Sequence, residues 1–157
     1  MGSIPAGRAT FIILSSAREK LQCHRGCDDN IVETVNIDWA KLRELALTEI
    51  EATLTALPKP LREQAQRLPV TFERVPNSGL QVDGIEPDTL GLFTGSEFAD
   101  EGASVLPPQI ILFLENLWDF AEGDEEIFCE EVHTTFLHEL GHFFGLDEDD
   151  LTQRGLD

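Results

Sequence analysis

Tyrosine is absent from this 157-residue chain, and its single methionine is Met1. No phenol is therefore available to a reacting site. Cysteine is scarce: Cys23, Cys27 and Cys129 are the only three. An odd, low number builds no disulfide framework and fits a reducing, cytoplasmic compartment. Basic residues are few, 11 against 30 acidic ones, for a formal net charge of −19. That balance would repel phosphates, so it speaks against nucleic acid and anionic membranes and for cationic partners, metal ions among them. Long apolar runs are missing as well. "ATFIILSSA" near the start holds only four strongly apolar residues in a row, too few for a secretory signal core or a membrane span. Ala6 stands where a myristoylation signal requires Ser or Thr. Against these absences, 41% of residues are hydrophobic, enough for one domain with a core of its own.

Local patterns divide the chain. Residues 1–36 read as a loosely attached extension, with one strand-like run (Thr10–Leu14) and the polar stretch "CHRGCDDN". From Trp39, apolar residues recur at helical spacing through Leu54, with Asp38 as N-cap. Pro58 and Pro60 stop that helix, and "PLREQAQRL" reads as a second, short one. "VTFERV" (Val70–Val75) alternates like a half-buried strand and is closed by the turn signal "PNSG". "GLFTGS" (Gly91–Ser96) is a short strand between glycines, "SEFADEGAS" a loop, and "QIILFL" (Gln109–Leu114) a buried strand. "ENLWDFA" is a helical turn. The last helix starts at Asp124, has Glu125 and Glu126 in its first turn, and ends at Gly145. Helices, then strands, then a helix make an α+β domain over 37–157.

Three of the four histidines lie in "HTTFLHELGHFF" (133–144). His138-Glu139-Leu140-Gly141-His142 fits H-E-x-x-H. Residues four apart on a helix differ by roughly 40° of rotation and one turn of rise. Both imidazoles therefore leave one face and can bind one ion, as in catalytic zinc sites. Glu139 is off ligand spacing, which suits a general base acting on water that the metal has acidified. His133 points away from this face, whereas Glu131 shares it and could accept a hydrogen bond from a liganding imidazole.

A catalytic zinc needs a third protein ligand. Thermolysin-like enzymes use a glutamate on a later helix, but no glutamate follows Glu148. Metzincin-like enzymes end the helix at a glycine three residues after the second histidine and offer a ligand three residues later. Gly145 and Glu148 occupy those positions; Asp147 and Asp149 flank Glu148 and stay open as ligands. The methionine turn of metzincins has no counterpart here. Oxyanion stabilisation would fall to the metal, backbone N–H groups, His24, His133 or an arginine.

With these residues in view, the chain resembles the minimal zincin-like metallopeptidases, small and mainly bacterial proteins. "EEVHTTFLHELGHFFGLDEDDL" (130–151) carries the resemblance most specifically; "LPPQIILFLENLWDFA" (106–121) and "ALPKPLREQAQRLPVTFE" (56–73) extend it. It covers roughly 37–157 and omits 1–36. It implies a small mixed sheet, a backing helix and the H-E-x-x-H helix, with almost no C-terminal subdomain. It also implies one Zn²⁺ per chain, held by His138, His142 and Glu148, the last where the family usually has aspartate. Phe143 replaces a third histidine common in the family.

Other patterns are weaker. Cys23, His24 and Cys27 lack the second pair of a zinc motif, and Asp147–Asp150 lacks the spacing of a calcium loop. The expectation is a zinc-dependent peptidase with Glu139 as general base. Its substrate would be a neutral or basic peptide or protein lying along Gly91–Ser96 as an edge strand. The alternative is a non-catalytic, metal-stabilised module that binds a partner protein.

Overall fold

The computed structural model describes residues 12–14, 38–95 and 107–153; the Cys23–Cys27 run and the "SEFADEGAS" loop lie outside them. The elements are β1 (Ile12–Leu14), α1 (Trp39–Ala56), α2 (Lys59–Ala65), β2 (Val70–Glu73), α3 (Ser78–Val82), β3 (Gly91–Thr94), β4 (Gln109–Phe113), α4 (Leu114–Phe120), α5 (Glu125–Phe143) and α6 (Glu148–Gln153). No described helix is long and apolar enough to cross a membrane.

The helix ends follow from capping chemistry. The Asp38 carboxylate accepts from the Ala40 N–H at 3.3 Å and starts α1. Asp124 accepts from Glu126 and Ile127 N–H at 2.9 and 3.0 Å, satisfying two donors that the first turn of α5 leaves open. Lys41 on α1 pairs with Glu125 at the start of α5. One difference from the sequence reading is at Asn77. The expected turn "PNSG" continues as the five-residue helix α3, because the Asn77 side chain accepts from both Gly79 and Leu80 N–H and so acts as an N-cap.

Four strands form one mixed sheet in the order β1-β3-β4-β2. β2 and β4 are parallel, while β3 pairs antiparallel with both β4 and β1. The expectation that Gly91–Ser96 is an edge strand is therefore corrected: β1 runs along the outer side of β3. Side chains alternate across a strand, and both faces of β3 and β4 are buried. Phe93, Ile110 and Leu112 join a core with Leu42, Ala46, Ile50, Phe128, Val132, Phe136 and Leu140 from α1 and α5. Leu92, Ile111 and Phe113 pack with Ile85 in a second cluster on the other face. That two-sided burial explains why β4 is uninterruptedly apolar. The α+β reading holds, with α5 backing the sheet and α1 packed on α5.

α5 is the element that matters for chemistry. Phe128, Val132, Phe136 and Leu140 recur at helical spacing and are almost wholly buried. Each such side chain contributes about 1.5–3 kcal/mol on burial, and together they fix the helix against β3 and β4. Trp118 meets Phe128 edge-on, with ring centroids 5.7 Å apart, so α4 holds the N-terminal half of α5.

A buried histidine pair beside a strand-anchored glutamate

His138, Glu139 and His142 lie in the last turns of α5 and are 1%, 0% and 1% exposed. The imidazoles leave the helix four residues apart and converge, their Nε2 atoms 2.9 Å apart. An ion at 2.0–2.1 Å from both nitrogens needs them about 3.3 Å apart. A few tenths of an ångström separates the structure from that spacing, so the pair fits a zinc ion as two of its ligands.

The end of α5 sets the chemistry of the second imidazole. Gly145 adopts φ +81°, a conformation that costs a glycine nothing and a residue with Cβ a good deal. Its N–H donates to the His142 carbonyl (2.9 Å), and the Leu146 N–H donates to the Gly141 carbonyl (3.0 Å). This paired closure is a Schellman end. It returns the chain so that the Leu146 carbonyl lies 3.1 Å from His142 Nδ1. A carbonyl only accepts, so Nδ1 carries the proton and the Nε2 lone pair faces His138. That is the tautomer a metal ligand requires.

Glu139 is placed from the other side. Its Oε2 accepts the Phe93 N–H of β3 at 2.7 Å, so a main-chain donor fixes the carboxylate's orientation. Gly91 makes the approach possible. A Cβ there would lie 2.6 Å from Thr135 Cγ2 and 3.0 Å from Glu139 Cγ. Thr135 is itself fully buried on α5. Gly91→Ala must therefore push β3 and α5 apart, and overpacking of this kind typically costs about 1–3 kcal/mol. We expect a destabilisation of that size in denaturant unfolding; an unchanged midpoint would show that the strand and helix are not in close contact.

The remaining sequence candidates separate clearly. Glu148 opens α6 directly after the Schellman turn. Asp147 is exposed, and its Oδ1 accepts from the Asp150 N–H at 2.9 Å, which makes it a helix cap. Asp149 is exposed and Glu131 half-buried. Among the described residues, no group of three His, Cys, Asp or Glu side chains is gathered in a way that could hold a metal ion. His133 lies elsewhere: its Nδ1 meets Thr53 Oγ1 at 2.8 Å and Glu49 Oε1 at 3.3 Å, tying α5 to α1. Beside it opens an acidic depression lined by Glu49, Glu126, Cys129, Glu130 and Thr134. Burial, then the charges of Glu49 and Glu125, push the Cys129 thiol up, so it stays protonated and a poor nucleophile.

Sequence reasoning did not find the Phe93 N–H, Gly91 or the Leu146 carbonyl as parts of the site. Two of them are main-chain groups with no side-chain signature. Gly91 left a signal, a glycine opening an otherwise bulky strand, where close backbone approach is one reading.

No curated protein matches the chain. The sequence model of the zincin-like metallopeptidases matches residues 65–156, a stretch that takes in α5 with its histidine pair, both central strands and the turn at Gly145. Covering more than half of the 157 residues, this match and the helix it contains place the chain in the zincin-like metallopeptidase family.

Proposed function

We propose that the protein is a zinc-dependent peptidase that hydrolyses peptide bonds with Glu139 as general base. The observation that carries this reading is the convergence of His138 Nε2 and His142 Nε2 beside a buried carboxylate held by the Phe93 N–H. His138 and His142 would hold the metal, with Glu148, three residues beyond Gly145, as third ligand. Zinc bound there would supply a Lewis acid that lowers the pKa of water to about 7 and polarises a carbonyl.

The chain's own groups do the rest. Glu139 takes a proton from the attacking water and returns it to the departing amine nitrogen, so one carboxylate serves both halves of the reaction. Its anchored Oε2 keeps the carboxylate from turning away between those events. The Leu146 carbonyl keeps His142 in its liganding tautomer. With a net charge of −19, the surroundings favour neutral or basic peptides over acidic ones.

Cleavage of a mixed peptide library by the purified protein tests this. The expected pattern is hydrolysis abolished by a chelator and restored by one equivalent of zinc. Zinc binding without cleavage of any peptide would instead select the second reading, a metal-stabilised protein-binding module, which the absence of a tyrosine phenol favours.

A further inference from the structure

β3 carries two kinds of main-chain edge. The Phe113 N–H donates to the Leu90 carbonyl, and bonding alternates along an antiparallel ladder. Leu92 and Thr94 are thus bonded to β4, and the main-chain groups of Gly91 and Phe93 face outward. The Phe93 N–H on that outer side is the one that holds Glu139 Oε2. A strand laid along the outer edge of β3 therefore runs past the reacting carboxylate. The sheet's other edge, β2, is two strands away, about 10 Å at the usual spacing, and cannot serve.

That outer edge is taken. β1 lies along it antiparallel, with Ile12 opposite Phe93 and Leu14 opposite Gly91, and it also runs beside α5. None of Glu139 is exposed with β1 in place, so a peptide cannot reach the carboxylate until a neighbouring segment moves. A three-residue strand is a short tenant for such an edge. It forms few ladder bonds, and a longer extended peptide forms more.

We propose that β1 is a built-in substrate mimic: the Ile12–Leu14 strand occupies the peptide-binding edge of β3 and restrains the site until an extended peptide displaces it. The proposal rests on the peptidase reading for its consequence, but edge exchange can be measured without catalysis. When a site is open only a fraction of the time, apparent affinity falls by that fraction.

The test uses the full chain with Ile12→Pro and Leu14→Pro together, since proline cannot donate to the ladder. The probe is a labelled peptide copying residues 8–18, RATFIILSSAR. We expect it to bind the double variant at least about tenfold more tightly than the wild type. Zinc-dependent cleavage of an unrelated peptide should rise by a similar factor and fall again when the probe is added.

A tethered variant reads the opposite direction. Ile13→Cys with Leu92→Cys joins facing positions of β1 and β3, in a chain whose Cys23, Cys27 and Cys129 are changed to serine. Oxidation should suppress probe binding and cleavage, and reductant should restore both. Equal probe binding by wild type and double variant, or a tether without effect, would overturn the proposal. Probe binding that responds to both variants while no peptide is cut would uphold strand exchange and defeat the peptidase reading.

Discussion

Glu139→Gln should lower zinc-dependent peptide hydrolysis by about 10²–10⁴-fold, the usual worth of a positioned general base, while zinc content stays at the wild-type level. Glutamine preserves the volume of a side chain that is wholly buried, and its amide oxygen can still accept the Phe93 N–H that holds Oε2 at 2.7 Å. What it loses is the ability to take a proton from water. Glu139→Ala makes a useful contrast. It leaves a buried N–H unsatisfied, costing about 1–3 kcal/mol, so its loss of activity would mix chemistry with stability. Rates and metal content measured together on the glutamine variant decide the matter: full activity with full zinc would remove Glu139 from the mechanism.

The second large effect concerns the acids after the Schellman turn. Glu148→Ala should release zinc or weaken it far more than Asp147→Ala or Asp149→Ala. Asp147 already has a task, since its Oδ1 caps α6 through the Asp150 N–H. Removing it should cost α6 about 1 kcal/mol, the usual worth of a cap, and leave the metal in place. Asp149 is exposed and contributes at most a diffuse field. Aspartate keeps the carboxylate and shortens the side chain by one methylene, so Glu148→Asp should retain zinc. Two neutral imidazoles and one carboxylate leave a zinc site at net charge +1, still able to acidify water. Zinc titrations of the four variants measure all this; equal losses at the three alanine positions would mean that no single acid is a ligand.

How much of this was legible beforehand follows the range of each interaction. The histidine pair, the Asp124 cap, the Gly145 stop and the buried stripe of α5 depend on residues within a turn or two of each other, so the 3.6-residue period exposes them directly. The sheet was harder. The strands could be read from composition, but their partners could not, because pairing is set by tertiary packing. Thr10–Leu14 reads as strand-like, yet nothing in its pattern says that Ile12–Leu14 lies along β3, and without that partner Gly91–Ser96 reads as an edge. The same holds at the site. Glu139 reaches the Phe93 N–H across 46 residues of sequence, and the donor is main chain, which looks alike at every position except proline. The tautomer of His142 is fixed by another main-chain group, at Leu146. The sequence thus names the candidate side chains, and only the fold discloses the backbone groups that hold them.

The central claim is that His138 and His142 are metal ligands rather than a pair of core histidines bonded to each other. Zinc K-edge absorption on the purified protein, with elemental analysis of the same sample, tests it most directly. We expect close to one zinc per chain, two imidazole nitrogens at 2.0–2.1 Å with oxygen ligands completing a tetrahedral shell, and no bound zinc in His138→Ala or His142→Ala. A wild-type protein that holds no zinc after soaking and dialysis, or one whose zinc survives both alanine substitutions, would contradict it.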